Sequence, residues 1–85
     1  DTFINEHTYE SALLSAGCTI SCLNAIYKEK ICDSAFAIVR PPGHYCCHIN
    51  YQGFCFLNNV YLAYLHAKHI LNLKKIAIVD WDVHY

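Results

Sequence analysis

The chain has 85 residues, a formal net charge of −1, and 55% hydrophobic but only 15% charged residues. A chain of this length is close to the lower limit for a self-sufficient hydrophobic core, so its apolar excess indicates a surface that faces further protein. Its six lysines and arginines are scattered, which argues against direct nucleic-acid binding. Because the chain shows neither a secretory signal nor an apolar run of about 18 residues, we expect no membrane association and an intracellular location.

The six cysteines lie within apolar helical and strand-like runs, and without a secretory signal we expect them to be reduced. The cluster Cys46, Cys47, His48 and Cys55 leaves a structural zinc site open as a second interpretation. That cluster lacks the paired C-x-x-C spacing of such sites, so a structural zinc is the less favoured interpretation.

The first predicted element is a helix of about six turns. Its apolar residues recur at three- and four-residue steps and define one stripe, consisting of Tyr9, Ala12, Leu13, Ala16, Ile20, Leu23 and Tyr27. Asn5 is the expected N-cap. The opposite face carries small residues, among them Ser15 and Cys18, which would let a second element approach closely.

The remaining elements alternate between strand and helix. Residues 35–39 are a continuous apolar run that ends before two prolines, and residues 76–79 are a second such run; both are predicted to be strands buried on both faces. Between them, apolar residues from Phe56 to Ile70 share one side of a second helix. Two strands joined through a helix predict a βαβ unit with a parallel sheet, and therefore an α/β fold in the order helix, strand, loop, helix, strand.

Polar residues follow both predicted strands, at the sheet edge where ligands bind in open parallel α/β folds. Asp80, Asp82 and His84 alternate with apolar residues, and in an extended segment all three would point to one side. A carboxylate and an imidazole at this spacing suit a divalent metal such as zinc, with a third ligand from elsewhere. His44 follows the other strand and is a candidate acid/base or water-orienting group. The alternatives are solvated acids at a strand end and an ordinary surface histidine.

Three segments of the sequence resemble successive signature blocks of histone deacetylases, in the same order: residues 40–44, 53–59 and 79–84. The Arg-Pro-Pro-Gly and Asp-Trp-Asp-Val forms are more similar to the class II branch than to class I. The resemblance covers nearly the whole chain. It implies that residues 1–85 are part of a catalytic domain with the Rossmann-like, parallel-sheet arginase/deacetylase fold, and that this domain continues beyond the C-terminal side of the chain.

The resemblance also implies roles for individual residues near the metal. Asp82 and His84 would be zinc ligands, and a third, an aspartate, would lie beyond residue 85. Asp80 would orient His44, and its side chain would help to hold a structural potassium ion together with the backbone carbonyls of Asp80, Asp82 and His84. Such groups around a metal fix the tautomer and the geometry of its surroundings.

For the substrate, the resemblance implies that Phe54 lines the channel for the acetyl-lysine stem, with Gly53 beside it. Asp1 would accept hydrogen bonds from the substrate backbone. The implied activity is zinc-dependent hydrolysis of acetyl-lysine in histones or other proteins, within chromatin regulation and transcription repression. The implied partners are acetylated histone tails, other acetyl-lysine proteins and corepressor-type proteins, in the nucleus, the cytoplasm or both.

The sequence departs from the family pattern at the expected general base. The family has two adjacent histidines after Pro-Gly, whereas this chain has His44 and Tyr45. A phenol with an ordinary pKa of about 10 is a poor base near neutral pH. Three functions therefore stay open: a deacetylase in which His44, alone or with His48, handles the protons; an impaired domain that binds acetyl-lysine or partner proteins without turnover; and a polyamine or small-amide deacetylase.

Overall fold

The structure, a computed structural model, describes residues 4–44, 46 and 55–84. Within these residues it contains two α-helices, α1 (Thr8–Tyr27) and α2 (Asn59–His69). Both helices were predicted, and both are confirmed. In the part of the chain that is described, neither helix combines the length and apolar character that crossing a membrane would require.

The start of α1 lies two residues later than the sequence predicts. His7 occupies the N-cap position without a side-chain capping bond. Asn5 instead forms the preceding turn, in which its Oδ1 accepts from the His7 backbone N–H at 2.8 Å and its own N–H donates to the Thr8 hydroxyl at 2.9 Å. The expected Asn5 cap is wrong, because the Asn5 side chain accepts from the backbone N–H two residues on, in a local turn.

The two helices end in the same way. The residues Lys30 and Asn72 adopt positive φ angles of 56° and 58°. Beyond them, the Ile31 N–H donates to the Ala25 carbonyl and the Leu73 N–H donates to the Ala67 carbonyl, both at 2.9 Å. Each of these hydrogen bonds reaches six residues back, one residue further than the 6→1 bond of a Schellman motif. They satisfy carbonyl groups that the last helical turn leaves without a partner.

The helices pack against each other through small side chains. Ala12 and Ala16 of α1 and Ala63 and Ala67 of α2 are all buried. Large members of the predicted apolar stripe are exposed instead, namely Tyr9, Leu13 and Tyr27. Periodicity identified apolar positions correctly, but alanine and serine allow the backbones to approach closely, and the contact face is therefore centred on the small residues.

The predicted parallel sheet is wrong for the residues that the structure describes, and so is the α/β, Rossmann-like assignment that rested on it. Residues 35–39 and 76–79 form no β-strand, and no backbone hydrogen bond joins the two segments. Phe36 and Ile38 are 84% and 87% exposed. An apolar run indicates that a segment favours burial, but a strand also needs a hydrogen-bonded neighbour and a cover on each face. The two helices supply neither.

Candidate active site

The residues that follow the two apolar segments line one open cavity of about 690 Å³. Its polar lining includes His44, Asp80 and Asp82, and apolar side chains such as Val39 and Ile78 form much of the remaining wall. A concave, mostly apolar surface with a few converging polar groups is typical of a small-molecule or side-chain binding site. The cavity therefore brings together residues that are far apart in the sequence.

His44 and Asp80 form a direct pair in this cavity. His44 Nδ1 lies 2.7 Å from Asp80 Oδ2, and the Asp82 backbone N–H donates to Asp80 Oδ1 at 3.1 Å. The hydrogen bond from His44, followed by that from Asp82, lowers the pKa of Asp80. Because the ionised carboxylate can only accept, His44 Nδ1 is the donor, and Nε2 is the basic nitrogen of the ring.

Because the pKa of Asp80 is lowered, its contribution to the stability of the folded protein depends on pH in a defined direction. A carboxyl group with a lowered pKa in the folded state contributes stability above its ordinary value of about 3.9. That contribution is lost as the pH falls through the lowered pKa. The His44–Asp80 hydrogen bond is therefore an ionised-carboxylate bond throughout the neutral range.

Asp82 and His84 form a second pair. Asp82 Oδ2 accepts from the His84 backbone N–H at 2.6 Å, and His84 Nδ1 lies 3.1 Å from the same oxygen. The backbone hydrogen bond is the main cause of the lowered pKa of Asp82. His84 is largely exposed and is not part of the cavity lining.

The chemistry of this second pair suits zinc, and its geometry is that of a direct hydrogen bond. Asp82 Oδ2 and His84 Nδ1 contact each other at 3.1 Å. One carboxylate oxygen and one imidazole nitrogen are both ordinary zinc ligands. Over residues 4–44, 46 and 55–84, however, no three His, Cys, Asp or Glu side chains converge on one point. The described residues would therefore supply at most two of the three protein ligands that a catalytic zinc site needs.

Four of the candidate site residues lie outside the described residues: Asp1, Tyr45, Gly53 and Phe54. The same holds for His48. Their roles in substrate binding and proton transfer stay predictions from the sequence.

A buried hydrogen-bond network links the His44 loop to both helices, and the sequence did not predict it. The Ser15 hydroxyl donates to the Pro41 carbonyl at 2.8 Å. Asn59 Nδ2 donates to Ser15 Oγ at 2.8 Å and to the same carbonyl at 3.2 Å. Two features of the sequence could have indicated this network. Ser15 lies among the alanines of α1, and Asn59 is an amide in the first turn of α2. Both are polar residues at helix positions that are buried in the structure.

Gly43 fixes the same loop by close packing. A Cβ atom at Gly43 would clash with the Leu57 carbonyl oxygen and would lie 2.5 Å from the Asn59 backbone nitrogen. Both obstacles are backbone atoms at the start of α2, so no side chain can turn aside. We expect Gly43→Ala to push the loop and His44 away from α2 and to destabilise the folded protein by about 1–3 kcal/mol, the usual cost of overpacking.

Gly17→Ala is the matched control for this prediction, because a Cβ at Gly17 would meet nothing within 4 Å. This change within α1 should stabilise the helix by about 0.5–1 kcal/mol. Thermal unfolding of the two variants in the full-length protein checks the expectation. A Gly43→Ala variant as stable as the wild type would contradict it.

Residues 1–85 match the model of the family described as histone deacetylase domain. The chain is 41% identical over 85 residues to polyamine deacetylase HDAC10 of Danio rerio, which covers 100% of this chain and 12% of that protein. It is 40% identical over 85 residues to the histone deacetylase-like amidohydrolase of Pseudomonas aeruginosa, covering 100% of this chain and 22% of the relative. Histone deacetylase 4 of Caenorhabditis elegans is 40% identical over 87 residues, covering 100% of this chain and 10% of that relative.

The chain therefore belongs to the histone deacetylase family. It spans between 10% and 22% of the length of these three relatives.

Proposed function

We propose that the protein containing this chain is a zinc-dependent deacetylase that hydrolyses acetyl-lysine in histones or other proteins. The observation that carries the proposal is the contact between Asp82 and His84, two residue types that bind zinc, at 3.1 Å. Asp82 is separated by one residue from Asp80, which pairs with His44. Family membership over residues 1–85 supports the same class of reaction, because the three relatives are named as deacetylases or an amidohydrolase.

In this proposal Asp82 and His84 hold the zinc, and a third ligand comes from outside the described residues. A bound zinc ion supplies Lewis-acid polarisation of the acyl carbonyl and a lowered pKa for water. Asp80 accepts the Nδ1–H of His44 at 2.7 Å and so fixes the ring tautomer with Nε2 as the basic nitrogen. His44 then takes a proton from the attacking water and returns one to the departing amine. Acetate and the free amine are the products.

The exposure of the site fits a substrate that reaches it from solvent. The side chains of His44 and Asp80 are 25% and 51% exposed, so solvent reaches both of them. The implied potassium ion, the corepressor-type partners and the nuclear or cytoplasmic location stay predictions.

A second candidate substrate is an acetylated polyamine, favoured by the name of the Danio rerio relative, which is a polyamine deacetylase. The chemistry is the same, because both substrates present an N-acetylated primary amine on a flexible apolar stem. The two candidates differ in what surrounds that stem: a peptide backbone in one case and a second cationic amine in the other.

The test is hydrolysis by the full-length protein of an acetyl-lysine peptide and of N-acetylspermidine, each with and without a hydroxamate that chelates zinc. We expect chelator-sensitive release of acetate from at least one of them, and the preferred substrate identifies the class. If neither substrate is hydrolysed in a chelator-sensitive way, the proposed activity is wrong. Tight binding of the acetylated peptide without turnover would favour the impaired binding domain.

Asp80 offers a test of the proposed role of the His44 pair. Asp80→Asn keeps the shape but removes the charge that fixes the His44 tautomer, and loss of such an orienting carboxylate typically costs about 10–100-fold in activity or metal affinity. We therefore expect a fall of that size in turnover, measured with the same substrates. Asp33→Asn, the same change at an exposed aspartate, is the control and should act like the wild type. A wild-type rate for Asp80→Asn would exclude the role.

A further inference from the structure

The loop that carries His44 is attached to both helices at one atom, the Pro41 carbonyl oxygen. Ser15 Oγ of α1 donates to it at 2.8 Å, and Asn59 Nδ2 of α2 donates to it at 3.2 Å. The two side chains are also joined to each other at 2.8 Å. The network therefore connects three segments of the chain through one carbonyl group.

Simple helix packing does not account for these two residues. Ser15 is 2% exposed and Asn59 is 6% exposed, and the buried apolar residues of the two helices are alanines. Burial of a polar side chain is unfavourable unless it forms hydrogen bonds. In the described part of the chain, no buried side-chain nitrogen or oxygen lacks a partner. The acceptor on which Ser15 and Asn59 converge belongs to the loop, so the network fixes the loop relative to the helices.

The consequence falls on His44. Pro41 is three residues before His44, Gly43 rests against the backbone at the start of α2, and His44 itself is bonded to Asp80. Because residues 41–44 are fixed at these three points, the His44 side chain has little freedom to move. Displacement of a reacting group by about 1 Å can cost about 10²-fold in rate.

We propose that Ser15 and Asn59 are positioning residues, which act on the reaction by holding His44 in place through the Pro41 carbonyl. This inference rests on the proposed function, in which His44 transfers the protons. Neither residue touches the reacting atoms. Their contribution is made through the loop, and it vanishes when the His44 imidazole is absent.

The test is a set of alanine variants of the full-length protein. Asn59→Ala and Ser15→Ala should each lower kcat about ten- to a hundredfold while the KM and the zinc content stay unchanged. The matched control is Asn24→Ala, which removes a different hydrogen bond between the helices, from His66 Nε2 to Asn24 Oδ1 at 2.7 Å. This control lies away from the loop and should leave kcat unchanged at a comparable loss of thermal stability.

A double-mutant cycle separates positioning from general destabilisation. In a His44→Ala background, Asn59→Ala should lower the remaining rate less than twofold, because the group that it positions is gone. The same fold-loss in both backgrounds would overturn the proposal. So would a loss of kcat in Asn24→Ala that equals the loss in Asn59→Ala.

A readout without turnover keeps this test independent of the proposed activity. Hydrogen exchange of the His44 Nδ1–H, followed by NMR of the ¹⁵N-labelled protein, should be at least tenfold faster in Asn59→Ala than in the wild type and unchanged in Asn24→Ala. Unchanged exchange in Asn59→Ala would refute the positioning role. If the wild type hydrolyses no acetylated amine, the proposed function fails, while the exchange measurement still decides whether Ser15 and Asn59 position His44.

Discussion

Replacement of Tyr45 by histidine is expected to raise kcat of the full-length protein by about 10²–10⁴-fold, the usual contribution of general acid–base catalysis. The family resemblance places a general base at this position, and a tyrosine with an ordinary pKa of about 10 is largely protonated near neutral pH. A histidine there would share the proton transfers that otherwise fall to His44. Steady-state hydrolysis of the preferred acetylated substrate, compared between the wild type and Tyr45→His, measures the gain.

The control for this prediction is Tyr45→Phe, which removes the phenol and keeps the ring. If Tyr45 takes no part in proton transfer, Tyr45→Phe should turn over at the wild-type rate. A large loss in Tyr45→Phe would show that the phenol itself acts in the reaction. A high wild-type rate that Tyr45→His leaves unchanged would remove the interpretation of the chain as an impaired deacetylase.

The second large effect concerns the proposed metal ligands. Asp82→Ala and His84→Ala should each lower kcat by about 10³-fold or more, because Lewis-acid polarisation is worth several kcal/mol and each 1.36 kcal/mol is about a factor of ten. Raising the pH should not restore kcat in either variant, because ionisation of the remaining carboxylates does not replace the missing ligand. Rate measurements with the preferred substrate check the expectation.

Asp33→Ala is the matched control for Asp82→Ala, since Asp33 is exposed and lies outside the cavity lining. It should retain wild-type turnover. If His84→Ala kept more than a tenth of the wild-type rate, His84 would not be a ligand, and the pairing with Asp82 would have only a structural meaning.

The helices and the polar positions could be predicted from local sequence patterns. The periodic apolar residues from Tyr9 to Tyr27 indicated α1, and the alternation of Asp80, Asp82 and His84 singled out those three side chains. Such patterns depend only on the geometry of one segment. Which atom each side chain contacts depends on how separate segments meet, and a local pattern does not encode that.

The features that escaped prediction all depend on contacts between segments. Apolar runs at residues 35–39 and 76–79 suggested a sheet, yet nothing in a run specifies the strand that would pair with it. The Ser15–Asn59 network joins residues 44 positions apart, and serine and asparagine by themselves more often indicate caps, turns or exposed surface. The close packing of Gly43 is set by backbone atoms at the start of α2. The residues next to Gly43 in the sequence do not indicate this contact.

Asp82 and His84 are proposed to bind one zinc ion, and equilibrium zinc binding measures this without turnover. Competition with a chelator of known affinity should give one zinc per chain of the full-length wild type. His84→Ala should weaken that binding by more than about 100-fold, the upper range for loss of a group that only supports a ligand. His69→Ala, at the exposed end of α2, should bind zinc like the wild type. Equal zinc affinity in all three proteins would show that His84 is not a zinc ligand.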